Sequence, residues 1–379
     1  MSLLARIELG NERYPALTGI RALGASAVFF DHFPIWPDAH LTVNVMAFFY
    51  ALSGFLIVRI YYEQAQLRLR WLAKYFINRF ARIYPVYFLL LSVAVLLHHD
   101  FHFTVLLKNY TLTHALFNGT TPLIQPSWSL TVEECFYFLA PVFMLLARRY
   151  GFLAPFAAGW LLLLLALAFS TLGFTFLGTP LFVFSTTFFG HFVEFFAGVY
   201  LALAVLRLER GGRLATAGSR NTLLGLGGVA LLVLAMVMVY RRTPLSVPAI
   251  VLINNFLIPV PIGVLYWGLL RENTAVARFL ATPACNLLGR SSYSFYLLHT
   301  LVIDYLSLPL LLPLIGSRAA CALLTFIASW LLAVGLFAYF EEPVNLAIRR
   351  RFRSKDRWVG MEATLFQVPQ QPAPARTTA

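Results

Sequence analysis

The chain has 379 residues, of which 60% are hydrophobic and 12% charged, and it carries a net charge of +13 with a mean hydropathy of +0.75. A soluble globular domain of this length needs far more polar surface, so that class is excluded. The composition predicts an all-α, polytopic integral membrane protein, and the positive charge needs no nucleic-acid partner to explain it.

Apolar stretches of about 20 residues, long enough to cross the hydrocarbon core, fall at 16–36, 42–60, 80–97, 129–147, 152–172, 181–206, 222–240, 246–270, 291–313 and 318–340. Ten spans put both termini on one side. With the N-terminus inside, 25 of the 29 Lys and Arg residues lie on the inner side, leaving Lys108, Arg241, Arg242 and Arg318 outside. This asymmetry orients the chain with cytoplasmic termini and favours an even number of spans. No cleavable signal peptide is expected, because the first apolar segment is polar in its middle. Residues 1–348 read as one membrane-embedded domain. Residues 349–379 read as a basic tail that turns rich in Pro, Gln, Ala and Thr, a disordered composition.

The first span, LTGIRALGASAVFFDHF, contains Arg21, Asp31 and His32. Ionisable groups inside a span are costly and mark working sites. Eleven residues at ~100° each make three turns plus ~20°, so Arg21 and His32 share a face, ~16 Å apart along the helix. That separation predicts chemistry near mid-membrane. In FFYALSGFLI, Ser53-Gly54 lets helices approach closely. Arg79 and Arg82, in NRFARIYPVY, share a helix face at the inner boundary; positive-inside flanking alone would account for them, and guanidinium groups also chelate phosphate well.

Beyond the third span, His98, His99, Asp100 and His102 cluster in an exterior connection; imidazole and carboxylate suit zinc, but without a second matching cluster this reads as a surface loop or a contact to the acceptor sugar, with no metal. SWSLTVEECFYF places Glu133 and Glu134 in the first turns of a span. The helix dipole favours one carboxylate there, and two exceed that need. His191 and Glu194 lie in the sixth span. In SYSFYLLH, Ser292, Tyr296 and His299 form a polar stripe at i, i+4 and i+7. Cys135, Cys285 and Cys321 show neither metal spacing nor pairing and read as core packing.

In one order over about 330 residues, the Arg21/His32 pair, FFYALSGFLI, Arg79-x-x-Arg82-Ile83-Tyr84-Pro85, WSLTVEECFYF, SYSFYLLH and Glu341-Glu342-Pro343 resemble the acyltransferase family 3 membrane proteins. That family includes bacterial O-antigen (lipopolysaccharide), exopolysaccharide and nodulation-factor acetylases. The resemblance implies ten transmembrane helices in a bacterial inner membrane. It also implies a cytoplasmic acyl-CoA donor, usually acetyl-CoA, as co-substrate with no permanently bound cofactor, and a sugar, glycan or lipid-linked saccharide as acceptor. It makes His32 the essential catalytic residue and Arg21, Arg79 and Arg82 important for activity. Some relatives add a C-terminal extracytoplasmic hydrolase-like domain, which this chain is expected to lack.

Joined to the residues, this gives an expected mechanism. CoA phosphates dock on Arg79, Arg82 and Arg21, and His32 takes a proton from an acceptor hydroxyl that attacks the thioester. Glu133 stands as a catalytic candidate beside His32. Asp31, Glu134, His191, Glu194, Ser292, Tyr296 and His299 are candidates for binding substrate or orienting the imidazole. A covalent acyl-His route stays open. The competing class is a proton-coupled transporter or flippase of a glycan or lipid-linked substrate, which predicts matched halves that the sequence does not show.

Overall fold

The computed structural model describes residues 13–33, 43–98, 102–172, 178–211, 218–240 and 246–353, and among these it contains helices and no strand. Nine of the described helices are long and apolar enough to cross a membrane. The tenth expected span is helix α1 (Pro15–His32), which is more polar and packs inside the bundle. The other principal helices are α2 (Val43–Tyr61), α3 (Leu69–His98), α4 (Trp128–Tyr150), α5 (Leu153–Thr171) and α6 (Phe188–Arg210). They continue with α7 (Arg220–Tyr240), α8 (Pro259–Arg271), α9 (Pro283–Val302), α10 (Arg318–Leu336) and α11 (Glu342–Arg353). The last of these carries helix five residues past the expected boundary at 348, and residues 354–379 of the expected tail lie outside the described residues.

Local chemistry explains where the helices end and bend. α1 stops at His32 because Phe33 precedes Pro34, whose ring disfavours α geometry in the residue before it; Phe33 is extended, with φ −84° and ψ 123°. His32 is therefore the last residue of its helix. α3 begins eleven residues before the expected span, because the basic segment ahead of the apolar run alternates polar with aromatic residues that pack. Tyr75 in that segment is fully buried and stacks on Trp71. The span expected at 181–206 is broken at Thr187, which is extended, and a short helix (Pro180–Thr186) precedes α6.

Three widened π-helical turns occupy Ile253–Leu257, Ile303–Leu311 and Phe337–Glu341. Each contains the residue four before a proline: Asn255 before Pro259, Tyr305 before Pro309, and Tyr339 before Pro343. A proline ring clashes with the carbonyl four residues back, and a wider turn relieves the clash. Pro85 and Pro141 are accommodated inside α3 and α4 without such a turn.

Close helix crossings hold the bundle. α2 packs on α6, where a Cβ on Gly54 would strike the Phe195 carbonyl oxygen and one on Gly198 the Ala51 carbonyl oxygen. The Ser53-Gly54 expectation is thus met. α1 packs on α9, where a Cβ on Gly289 would strike the Thr18 carbonyl oxygen. Membrane helices have little hydrophobic drive to associate, so such backbone approach supplies much of the adhesion. On this basis Gly289→Val lowers the thermal unfolding temperature in detergent, at a cost of about 1–3 kcal/mol for forced overpacking. Gly227→Ala, whose Cβ meets nothing within 4 Å, leaves it unchanged or raised.

Candidate active site

Two cavities meet at three arginines. The wider, about 390 Å³, is walled by Arg13, Arg59, Arg290 and Arg349 among others. The narrower, about 130 Å³, runs past Ser53, Glu133, Tyr137 and Ser292 to Tyr296. Arg21, Arg79 and Arg82 line both, with Leu52 and Leu56. The residues expected to grip a phosphorylated donor are therefore brought together from α1 and α3, although Arg21 is 58 residues or more from the others in sequence.

The guanidiniums of Arg79 and Arg82 are held from behind. Arg79 donates to the Tyr61 hydroxyl at 3.3 Å and lies 5.5 Å from the Tyr61 ring centroid and 5.6 Å from that of Tyr137. Aromatic faces attract a cation without neutralising it, and among the described residues no carboxylate stands within ion-pair distance of Arg79. Arg82 donates to Glu341 Oε1 at 2.7 Å, while Ser294 Oγ donates to Glu341 Oε2 at 2.6 Å. Arg59, at the rim, is bound to Glu209 at 2.6 Å and to the Tyr14 hydroxyl at 2.7 Å. Tyr137 donates its hydroxyl hydrogen to Glu133 and accepts from Ser53 Oγ at 3.0 Å.

The Tyr296 wall of the narrow cavity is fixed by hydrogen bonds. The Tyr296 hydroxyl lies 2.8 Å from the Pro126 carbonyl, 2.7 Å from Ser129 Oγ and 3.4 Å from Met46 Sδ. His114, outside the spans, supports this corner with Nε2 at 3.2 Å from Ser127 Oγ. Burial pushes the His114 imidazole down to about 4, so it is neutral at physiological pH.

One helical turn beyond Tyr296 lies His299, its ring centroid 6.1 Å from that of Tyr296. His299 Nε2 is 3.4 Å from His32 Nδ1, and the two rings meet edge to face at 5.1 Å. His32 is half-buried and does not line either arginine cavity. The narrow cavity and the imidazole pair are thus neighbours through Tyr296, which lines the cavity and lies against His299.

The remaining candidates divide. Ser292 and Tyr296 line the narrow cavity, and Ser292 Oγ donates back to the Gly289 carbonyl at 2.8 Å. Glu133 sits with the arginines and Tyr137, not beside His32. Glu134, half-buried, lies off that wall. Asp31 is half-buried next to His32 in sequence. His191 and Glu194 form a separate buried cluster. His191 Nδ1 is 3.1 Å from Glu194 Oε1, and Asn254 Nδ2 donates to the same oxygen at 3.1 Å. Tyr50 and Trp128 border that cluster, their ring centroids 5.4 and 5.9 Å from that of His191. Of the exterior histidine cluster, His98 donates Nε2–H to the Leu123 carbonyl at 3.1 Å; His99 and Asp100 lie outside the described residues.

Sequence reasoning named Glu341 only as part of a motif. Its 2% exposure and its grip on Arg82 make it the chief residue that reasoning left without a role. The available signal was a carboxylate at the end of an apolar run, two residues before a proline.

The acyltransferase family 3 model, an acyltransferase domain, matches residues 14–334. This all-α, polytopic membrane protein therefore belongs to acyltransferase family 3. A peptidoglycan O-acetyltransferase of Listeria monocytogenes, OatA, is 27% identical over 158 residues, covering 36% of this chain and 25% of the relative's own length. The chain thus matches about a quarter of that curated relative. No solved structure matches the chain.

Removing one partner of a buried ion pair leaves an uncompensated charge, at a cost of about 3–5 kcal/mol. Arg82→Met is accordingly expected to lower the unfolding temperature, and the double variant Arg82→Met/Glu341→Gln to recover part of the loss. Thermal unfolding of the purified variants in one detergent checks this.

Proposed function

We propose that the protein is an acyl-CoA-dependent O-acyltransferase that moves an acyl group, acetyl in the first instance, onto a hydroxyl of a sugar or cell-surface glycan. The observation that carries this reading is the division of labour along α1. Arg21 stands where the two cavities join, and His32 ends the same helix beside His299. Family membership supports acyl transfer, and the name of the OatA relative supports an O-acetyl product on a glycan. The inward bias of Lys and Arg supports cytoplasmic termini, and the resemblance to bacterial acetylases supports an inner membrane with the donor entering from the cytoplasm.

The chemistry follows from the residues. Polyphosphate suits the wider cavity, because guanidinium groups bind phosphate oxygens bidentately and Arg79 is oriented without being neutralised. The pantetheine arm then follows the narrow branch towards Tyr296, and displacement of the Tyr296 ring admits the thioester to His32. Neutral His32 takes the proton of the acceptor hydroxyl as its oxygen attacks the thioester carbonyl. The tetrahedral adduct collapses with cleavage of the C–S bond, and the imidazolium returns the proton to the departing thiolate. Atoms and charge balance, and the products are the ester and free CoA thiol. The hydrocarbon surroundings keep bulk water from the thioester.

Release of free thiol from acetyl-CoA by purified protein in nanodiscs tests the reading. Wild type is expected to release thiol slowly and to accelerate with an acceptor sugar. His32→Ala is expected to fall by about 10²–10⁴-fold, the usual contribution of a general base. Full activity of His32→Ala at equal protein levels would contradict it.

A further inference from the structure

We propose that His299 is the positioning residue of His32, occupying the place where a carboxylate would otherwise hold a catalytic imidazole, and that it leaves His32 Nε2 as the basic nitrogen. This deepens the proposed acyl transfer and rests on His32 being its base.

The argument is one of hydrogen counting. His32 Nδ1 lies 2.9 Å from the Val28 carbonyl oxygen. A carbonyl only accepts, so the hydrogen is on Nδ1. His299 Nδ1 lies 3.1 Å from the Phe295 carbonyl oxygen, which puts a hydrogen on that nitrogen by the same logic. His299 Nε2 faces His32 Nδ1 at 3.4 Å. Two N–H groups cannot point at each other at that distance, so His299 Nε2 presents its lone pair. The His32 N–H is then shared between the Val28 carbonyl and His299 Nε2 in a three-centre bond. The only lone pair left on His32 is at Nε2, on the ring edge away from His299.

The His299 ring is itself closely packed. It is fully buried, it stacks on Phe295 at 5.7 Å with planes 9° apart, and Phe29 lies against it at 6.3 Å. Phe295 in turn stacks on Trp330 at 4.0 Å. Two of the acidic candidates are engaged elsewhere, while the Asp304 carboxylate is near enough to interact electrostatically with His32. Glu133 takes the Tyr137 hydroxyl and Glu194 pairs with His191. A neutral acceptor at Nδ1 orients the ring in the resting state. It also accepts from the imidazolium formed during proton transfer, without burying a full negative charge in an apolar bundle.

Two variants and one spectrum test this. Gln at 299 keeps an acceptor oxygen near the Nε2 position, and Phe keeps the volume without an acceptor. His299→Phe is expected to lose kcat by about 10–100-fold, the usual cost of a missing supporting partner, with the KM for acetyl-CoA unchanged. His299→Gln is expected to stay within a few-fold of wild type. Independently of turnover, nitrogen-15 NMR of histidine-labelled protein should show the His32 signal, assigned by its loss in His32→Ala, as the Nδ1–H tautomer. In His299→Phe the hydrogen should stay on Nδ1, held by the Val28 carbonyl, but the signal should shift and broaden as the ring loses its second acceptor. Equal kcat for the Phe and Gln variants, a KM that rises with the loss of kcat, or an Nε2–H tautomer in wild type would overturn the assignment. If no variant and no wild type turns over acetyl-CoA, the proposed function fails while the spectrum still decides whether His299 positions His32.

Discussion

Everything at the site depends on how closely α1 lies against α9. α1 carries Arg21 and His32, and α9 carries Ser292, Tyr296 and His299. The backbone contact at Gly289 and Thr18 brings the two polar stripes face to face along the bundle. A side chain at 289 would move α9 outward and lengthen the 3.4 Å separation between the imidazoles. In a membrane, where apolar surface gains little by leaving lipid, such backbone contact largely decides which helices meet.

The second constraint is electrostatic. Several guanidinium groups converge where α1, α2 and α3 meet, and an uncompensated cluster of that kind would repel itself. The chain compensates some and spares others. Arg59 is tied to Glu209 and Arg82 to Glu341, whereas Arg79 is oriented by the rings of Tyr61 and Tyr137. Arginines paired with carboxylates fix the walls, and the aromatic-held one has no described carboxylate partner. The widened turn at Phe337–Glu341 supplies the Glu341 carboxylate that Arg82 needs. Its cause is Pro343, so a backbone clash shapes an electrostatic partner.

Much of this was legible in the sequence because the membrane imposes simple rules. In its described residues each of the ten apolar stretches corresponds largely to helix, and several polar residues within them, among them Arg21, Arg82, Glu133, Ser292, Tyr296, His32 and His299, line the cavities or form the imidazole pair. Legibility failed where three-dimensional neighbours decide the outcome. Periodicity put Arg21 and His32 on one face but could not show that Pro34 ends the helix at His32, at the far end from the arginines. Glu133 and His191 looked equivalent as acidic or basic groups at membrane depth. Packing sends Glu133 to the arginine wall and His191 behind Tyr50 and Trp128 to Glu194. Glu341 was visible as a residue but not as a partner, because its role depends on Arg82, 259 residues away.

The central claim is that the arginine cavity recognises the phosphorylated end of an acyl-CoA while the reactive end points towards Tyr296 and His32. Equilibrium binding of acetyl-CoA and of acetyl-pantetheine, which carries the same thioester without the phosphates, to the full chain in nanodiscs tests this most directly. The account predicts that acetyl-CoA binds at least about tenfold more tightly, roughly the 1.4 kcal/mol of one charge-assisted contact, and that Arg79→Ala and added salt erase the difference. Equal affinity of the two ligands, or an advantage for acetyl-CoA untouched by Arg79→Ala and by salt, would contradict it.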